Sequence, residues 1–124
     1  MPYRFWIRLR ALNDDKFNDA VWVQFSDALV SGAAAYRIGT TQGLLVNLAT
    51  DAGASSVRNW GWQNGAYWLN QATVVTFPTS GTRTVRVQVR EDGVMVDQIV
   101  LSPAAYMNGA PGSVTNDNTI VPKP

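Results

Sequence analysis

Thr82-Arg83-Thr84-Val85-Arg86-Val87-Gln88-Val89-Arg90-Glu91-Asp92-Gly93-Val94-Met95-Val96-Asp97-Gln98-Ile99-Val100-Leu101 is the stretch that decides the fold class. Val85, Val87 and Val89 alternate with Thr84, Arg86, Gln88 and Arg90, the period-two pattern of a strand with one buried and one solvated face. A second strand follows from Val94 to Leu101. Asp92-Gly93 between them supplies the positive φ angles of a two-residue turn, so the two strands are expected to be antiparallel neighbours. Asp97 falls on the side of Ile99 and Leu101 in that alternation and calls for an arginine partner on a neighbouring strand.

The same alternation recurs toward the N-terminus. Tyr3, Phe5, Ile7 and Leu9 interleave with Arg4, Trp6, Arg8 and Arg10, and Val21, Val23 and Phe25 flank Trp22 and Gln24. Further strands are expected from Ala35 to Ile38, Leu44 to Leu48 and Ala72 to Phe77. No window sustains a helical period, so the expected fold is all-β, an antiparallel β-sandwich. Trp6 and Trp22 oppose the apolar rows, where they either cover a second face under a loop or form an exposed patch for a partner. Gly53 to Gly65 and the run after Pro103 are the long irregular pieces. Residues 1–105 read as one β-domain and 106–124 as a C-terminal tail or linker.

Composition excludes several functions. The formal net charge of this 124-residue chain is +1 with its basic residues scattered, which is no footprint for nucleic acid. No apolar stretch approaches the roughly 20 residues of a membrane-spanning helix. Cysteine and histidine are both absent, so disulfides, thiolate or Ser-His nucleophiles and their metal sites cannot be built from this chain. Glycoside hydrolysis needs two carboxyl groups roughly 5–10 Å apart across a cleft. Asp14-Asp15 and Glu91-Asp92 read instead as turn chemistry, so no enzyme is expected and no catalytic residue is assigned.

Asn59-Trp60-Gly61-Trp62-Gln63-Asn64-Gly65-Ala66-Tyr67-Trp68 concentrates three of the five tryptophans in ten residues. Trp60 and Trp62 have strand spacing, while the surrounding glycines and carboxamides read more like a loop. Flat rings beside amide donors and acceptors suit a pyranose, with its apolar C–H face and rim of hydroxyls. Core or lid packing is the competing reading.

The order Tyr3 to Arg8, Asn18 to Gln24, Trp60-Gly61-Trp62 and Arg86 to Ser102 resembles the non-catalytic carbohydrate-binding modules with a galactose-binding-like, jelly-roll-like β-sandwich, families six and thirty-five being nearest in pattern. The resemblance covers residues 2 to 102. It implies polysaccharide binding, of plant or microbial cell-wall glycan, at the cell surface or outside the cell. It points to Trp60 or Trp62 as stacking platform and Tyr36 or Tyr67 as opposing wall, with Asn64 and Trp68 beside them and Asn108 as the hydroxyl-bonding asparagine. Members carry strands and a structural calcium site ahead of the segment matching Tyr3; without them no calcium is supported, and an unpaired edge or uncovered apolar strip is expected. Such an edge would recruit other copies, and a structural, self-assembling β-domain is the alternative function.

Overall fold

The computed structural model describes residues 1–123, and they form an all-β protein of several antiparallel sheets. In the first sheet β1 (Tyr3–Ala11) is central. It pairs on one side with β6 (Trp60–Gln63) and β7 (Val74–Val75), and on the other with β9 (Val94–Ser102). In the second, β2 (Ala20–Phe25) lies between β5 (Leu44–Asn47) and β8 (Val85–Val89). β3 (Leu29–Val30) and β4 (Ala33–Ala34) make a small separate hairpin. Phe5, Ile7 and Leu9 meet Val21, Val23, Phe25, Leu44 and Val46 in one hydrophobic core, so the inward row of each central strand buries against the other sheet. Removing such side chains from water is the main stabilising term.

Several expectations are corrected. β8 and β9 are not neighbours: β8 pairs with β2 and β9 with β1, so the four residues Arg90 to Gly93 carry the chain from one sheet to the other. Both inward rows then face one core from opposite sides, a solution that period-two alternation allows as readily as a hairpin. Gly93 is not among the residues with positive φ; it is needed because a Cβ there would lie 2.5 Å from the Asn18 side chain. Ala35 to Ile38 is not a strand, since Tyr36 takes a φ of 50°. Trp60 to Gln63 is a strand rather than a loop.

Asp97 also departs from its expected side. The β1–β9 register shifts between Arg8 and Leu9, so Asp97 is the extra residue of a bulge, and it turns to the outer face to meet Arg8 at 2.9 Å. The arginine partner is real; the face is the opposite one.

Residues 106–121 lie against the outer face of the first sheet. The backbone carbonyls of Tyr106 and Met107 accept hydrogen bonds from Trp6 and Arg4. Ser113, Asn116 and Asp117 then make backbone bonds to Trp62, Arg58 and Trp60, alongside β6. Thr119 accepts from the Trp62 indole, and Val121 is held by the Gln98 side chain on β9. The segment therefore straps β6, β1 and β9 together. Trp6 is cover beneath it, whereas Trp22 stands partly exposed on the outer face of the second sheet.

Candidate functional site

The strap's anchor is a buried polar cluster. Arg8 donates to Asp97 at 2.9 Å, to the Asp117 carboxylate at 3.3 Å and to the Asp117 carbonyl at 2.9 Å, and its guanidinium lies 4.9 Å from the Trp60 ring centre. Asp117 also accepts from the Ser113 and Thr119 amides. Burial pushes its carboxyl up, but the bonds from Ser113, Thr119 and Arg8 together outweigh this and hold it below the usual carboxylate range. Every partner of the buried Arg8 and Asp117 named here is supplied by the chain itself.

Several of the expected ligand-binding rings belong to such packing. Trp62 is 1% exposed with its indole bonded to Thr119, and Tyr36 is buried in the core with its hydroxyl bonded to the Ala72 carbonyl. Trp60 lies half-buried against Arg8. The buried rings of Trp62 and Tyr36 have no free face to stack on a sugar, and Arg8 occupies one face of Trp60. Asn108 is exposed, but it follows Met107, which is bonded to Arg4 near the start of β1. These four residues therefore form no common site.

Tyr67 and Trp68 are different. They are 47% and 46% exposed, edge to face at 76° with ring centres 4.8 Å apart. They line a hollow of about 290 Å³ with Lys16, Phe17, Asp19, Asn47, Arg90 and Glu91, at the far end of β1 from Arg4. A second hollow of about 340 Å³, lined by Asn64, Gln63 and Gln71, shares Tyr67 with the first. Of the expected residues, the loop after β6 places Tyr67 and Trp68 on the first hollow and Asn64 with Tyr67 on the second.

The positioning of these rings follows from buried hydrogen bonds. Asp19, at the start of β2, accepts from the Asn47 side chain at 3.3 Å and the Ala49 amide at 2.9 Å. Asn47 in turn accepts from the Tyr67 amide at 3.3 Å and donates its own amide to the Gly65 carbonyl at 3.2 Å. This chain of satisfied polar groups ties the aromatic loop to the second sheet. Burial raises the Asp19 carboxyl above its usual range despite those bonds.

Arg90 and Glu91 come from the crossing between β8 and β9. The Arg90 amide bonds to the Ala20 carbonyl, which fixes the crossing over the hollow, and its guanidinium lies 5.9 Å from the Trp68 ring centre. Glu91 sits 3.9 Å from Arg90 through one oxygen, while its Oε2 is shut off from solvent. Burial pushes the Glu91 carboxyl up; Asp19 reinforces this, while nearby Arg90 and a hydrogen bond from the Ala20 backbone oppose it.

Phe17, Asp19, Asn47, Arg90 and Glu91 were not legible as a site in the sequence. Phe17 alone carries a signal, an aromatic in the polar run Asp14-Asp15-Lys16-Phe17-Asn18 outside any alternation, and it is 70% exposed. Glu91 had been read as turn chemistry, and it is indeed in a turn, but one that closes over the Asp19 end of β2. Among the described residues no group of three or more acidic side chains could hold a metal ion, and no helix is long and apolar enough to cross a membrane. Comparisons with family models, with curated proteins and with solved structures each find no match.

Proposed function

We propose that this chain is a non-catalytic carbohydrate-binding domain, a jelly-roll-like β-sandwich of galactose-binding type that holds a plant or microbial cell-wall polysaccharide outside the cell or at its surface. The observation that carries the reading is the pair of exposed rings, Tyr67 and Trp68, set edge to face beside the Arg90 and Glu91 side chains in one hollow. The rings offer apolar faces to sugar C–H groups, and the carboxylate and Arg90 offer an acceptor and donors to hydroxyls. Phe17 extends the apolar wall. Holding an attached enzyme or cell beside insoluble substrate then works by raising effective concentration.

Binding without cleavage is favoured by the state of Asp19. Asp19 and Asp51 line the hollow with Glu91, and the Oδ2 of Asp19 is occupied by Asn47 and Ala49 while the Oδ1 of Asp51 accepts from the Ala54 amide, so both support loops rather than face a reacting bond. A glycan array followed by calorimetry on the best ligand tests the proposal. Trp68→Ala is expected to weaken binding by about one to two decades, the range for removing a stacked ring. Absence of any glycan ligand, or reducing-sugar release that is lost in Glu91→Gln, would overturn it.

A further inference from the structure

The side of the protein where β8 and β9 run is open. The inward row of β9 continues that of β1, since Leu101, Ile99 and Val96 lie opposite Phe5, Ile7 and Leu9. Yet Phe5, Ile7 and Leu9 are fully buried, whereas Val96 and Ile99 are each 40% exposed. Across the gap Val89 of β8, opposite the buried Val21, is 49% exposed. Inward-facing aliphatic residues are thus left in water along the edge of both sheets, a surface that costs free energy until covered.

The backbone of β9 is open on the same side. β9 pairs with β1 and, among the described residues, with no strand beyond. In an antiparallel strand alternate residues turn N–H and C=O toward each neighbour, so half of those groups on β9 face outward unpaired. The bulge at Asp97 interrupts this edge, and from Gln98 to Ser102 the register with β1 is unbroken. A groove of about 410 Å³ flanks that half, lined by Asp97 to Leu101 and by Val121 to Lys123.

We propose that this seam is a docking site for one further extended strand, supplied by another polypeptide segment with apolar residues at alternate positions. It would pair with β9 from Gln98 to Ser102 and place its apolar row over Ile99 and toward Val89. The size of the seam selects this occupant over a second folded copy. Half-exposed Val89, Val96 and Ile99 offer on the order of 200 Å² of apolar surface, judged from what burying an aliphatic side chain is worth. A stable dimer needs about 800 Å² from each partner. A strand meets the shortfall with main-chain hydrogen bonds, as in strand-addition complexes. Recognition would then read apolar character at every second position, with Asp97 and the strap fixing where pairing stops.

Hydrogen exchange on the full chain, with and without the probe peptide Lys-Thr-Val-Thr-Val-Thr-Val-Thr-Lys, tests this. Exchange of amides between Gln98 and Ser102 is expected to slow by about tenfold or more at saturating peptide, since pairing removes local opening. The same peptide N-methylated at alternate residues should give no protection. Ile99→Lys, at a site already 40% exposed, is expected to weaken peptide binding by about tenfold, and Ile99→Thr serves as the milder variant should the lysine disturb folding. No protection, protection confined to residues outside β9, or binding unchanged in both Ile99 variants overturns the proposal. So does a chain that sediments as a dimer with β9 already protected and closed to the peptide, because a second copy is then the occupant. Glycan affinity measured on the same Ile99 variants reports separately on the Tyr67–Trp68 hollow.

Discussion

The strapped face of β1 and the hollow at its far end are built from the same kit of arginine, tryptophan and carboxylate, and they differ in what closes them. Under the strap, Arg8 has two carboxylates and a carbonyl, and Trp60 and Trp62 are packed against the guanidinium and the strap. In the hollow, Arg90 and Glu91 are loosely paired at 3.9 Å, and Tyr67 and Trp68 keep about half their surface. Chemistry alone does not mark a binding site in this protein. What separates the two regions is cover: the strap buries one set of rings, and Tyr67 and Trp68 stay in water.

The sharpest break in that comparison is expected from Arg8→Ala. It would leave Asp117, nearly buried, without its counter-charge, and removing one partner of a buried pair costs about 3–5 kcal/mol. Denaturant unfolding would show it as a fall in midpoint, and a loss below about 1 kcal/mol would mean the strap is not structural. Next comes the tryptophan contrast. Trp62→Ala is expected to cost about 3–5 kcal/mol of stability, whereas Trp68→Ala stays within about 0.5 kcal/mol while losing glycan affinity. Equal stability losses would erase the distinction between core ring and platform.

A smaller and more telling effect is in pH. Asp117, held below its ordinary 3.8, contributes stability that is present above that value and lost as pH falls through its folded pKa. Glu91, raised above 4.5, does the reverse: its contribution is present below that value and is lost as pH rises through its folded pKa. Asp117→Asn should therefore flatten the acid limb of the stability curve, and Glu91→Gln should flatten the decline on the neutral side, with thermal midpoints read across pH. The smallest effect is expected at Asn108. It lies by Met107 and Arg4, a β1 length away from the hollow, so Asn108→Ala should change glycan affinity less than twofold, on the order of 0.4 kcal/mol.

Period-two alternation made the strands legible: Phe5, Ile7 and Leu9, and Val21, Val23 and Phe25, fall on their expected inward rows. Alternation carries no information about which strand lies beside which, so the same pattern in Val85 to Val89 and Val94 to Leu101 was read as a hairpin when it crosses between sheets. Aromatic density singled out Trp60 to Trp68 as a whole, and the structure divides that stretch between buried and exposed rings. Tyr67 and Trp68 are exposed because Gly65-Ala66 turns the chain out after β6, while Trp60 and Trp62 stay in a strand that the last residues of the chain cover. That covering depends on contacts more than fifty residues apart in sequence, as does the meeting of Glu91 with Asp19. Local pattern could not foresee either.

The strap imposes an order on biosynthesis. Arg8 and the Asp117 that neutralises it are separated by 109 residues, so β1 leaves the ribosome with its guanidinium unmatched. At roughly 5–20 residues per second, about 5–20 seconds pass before Asp117 follows. β9, the partner along almost the whole of β1, is also made late. β1, made before the other strands described here, therefore waits long for β9 and the strap, and a nascent chain stalled before Ser113 would present an aromatic, cationic sheet face to chaperones rather than a finished domain.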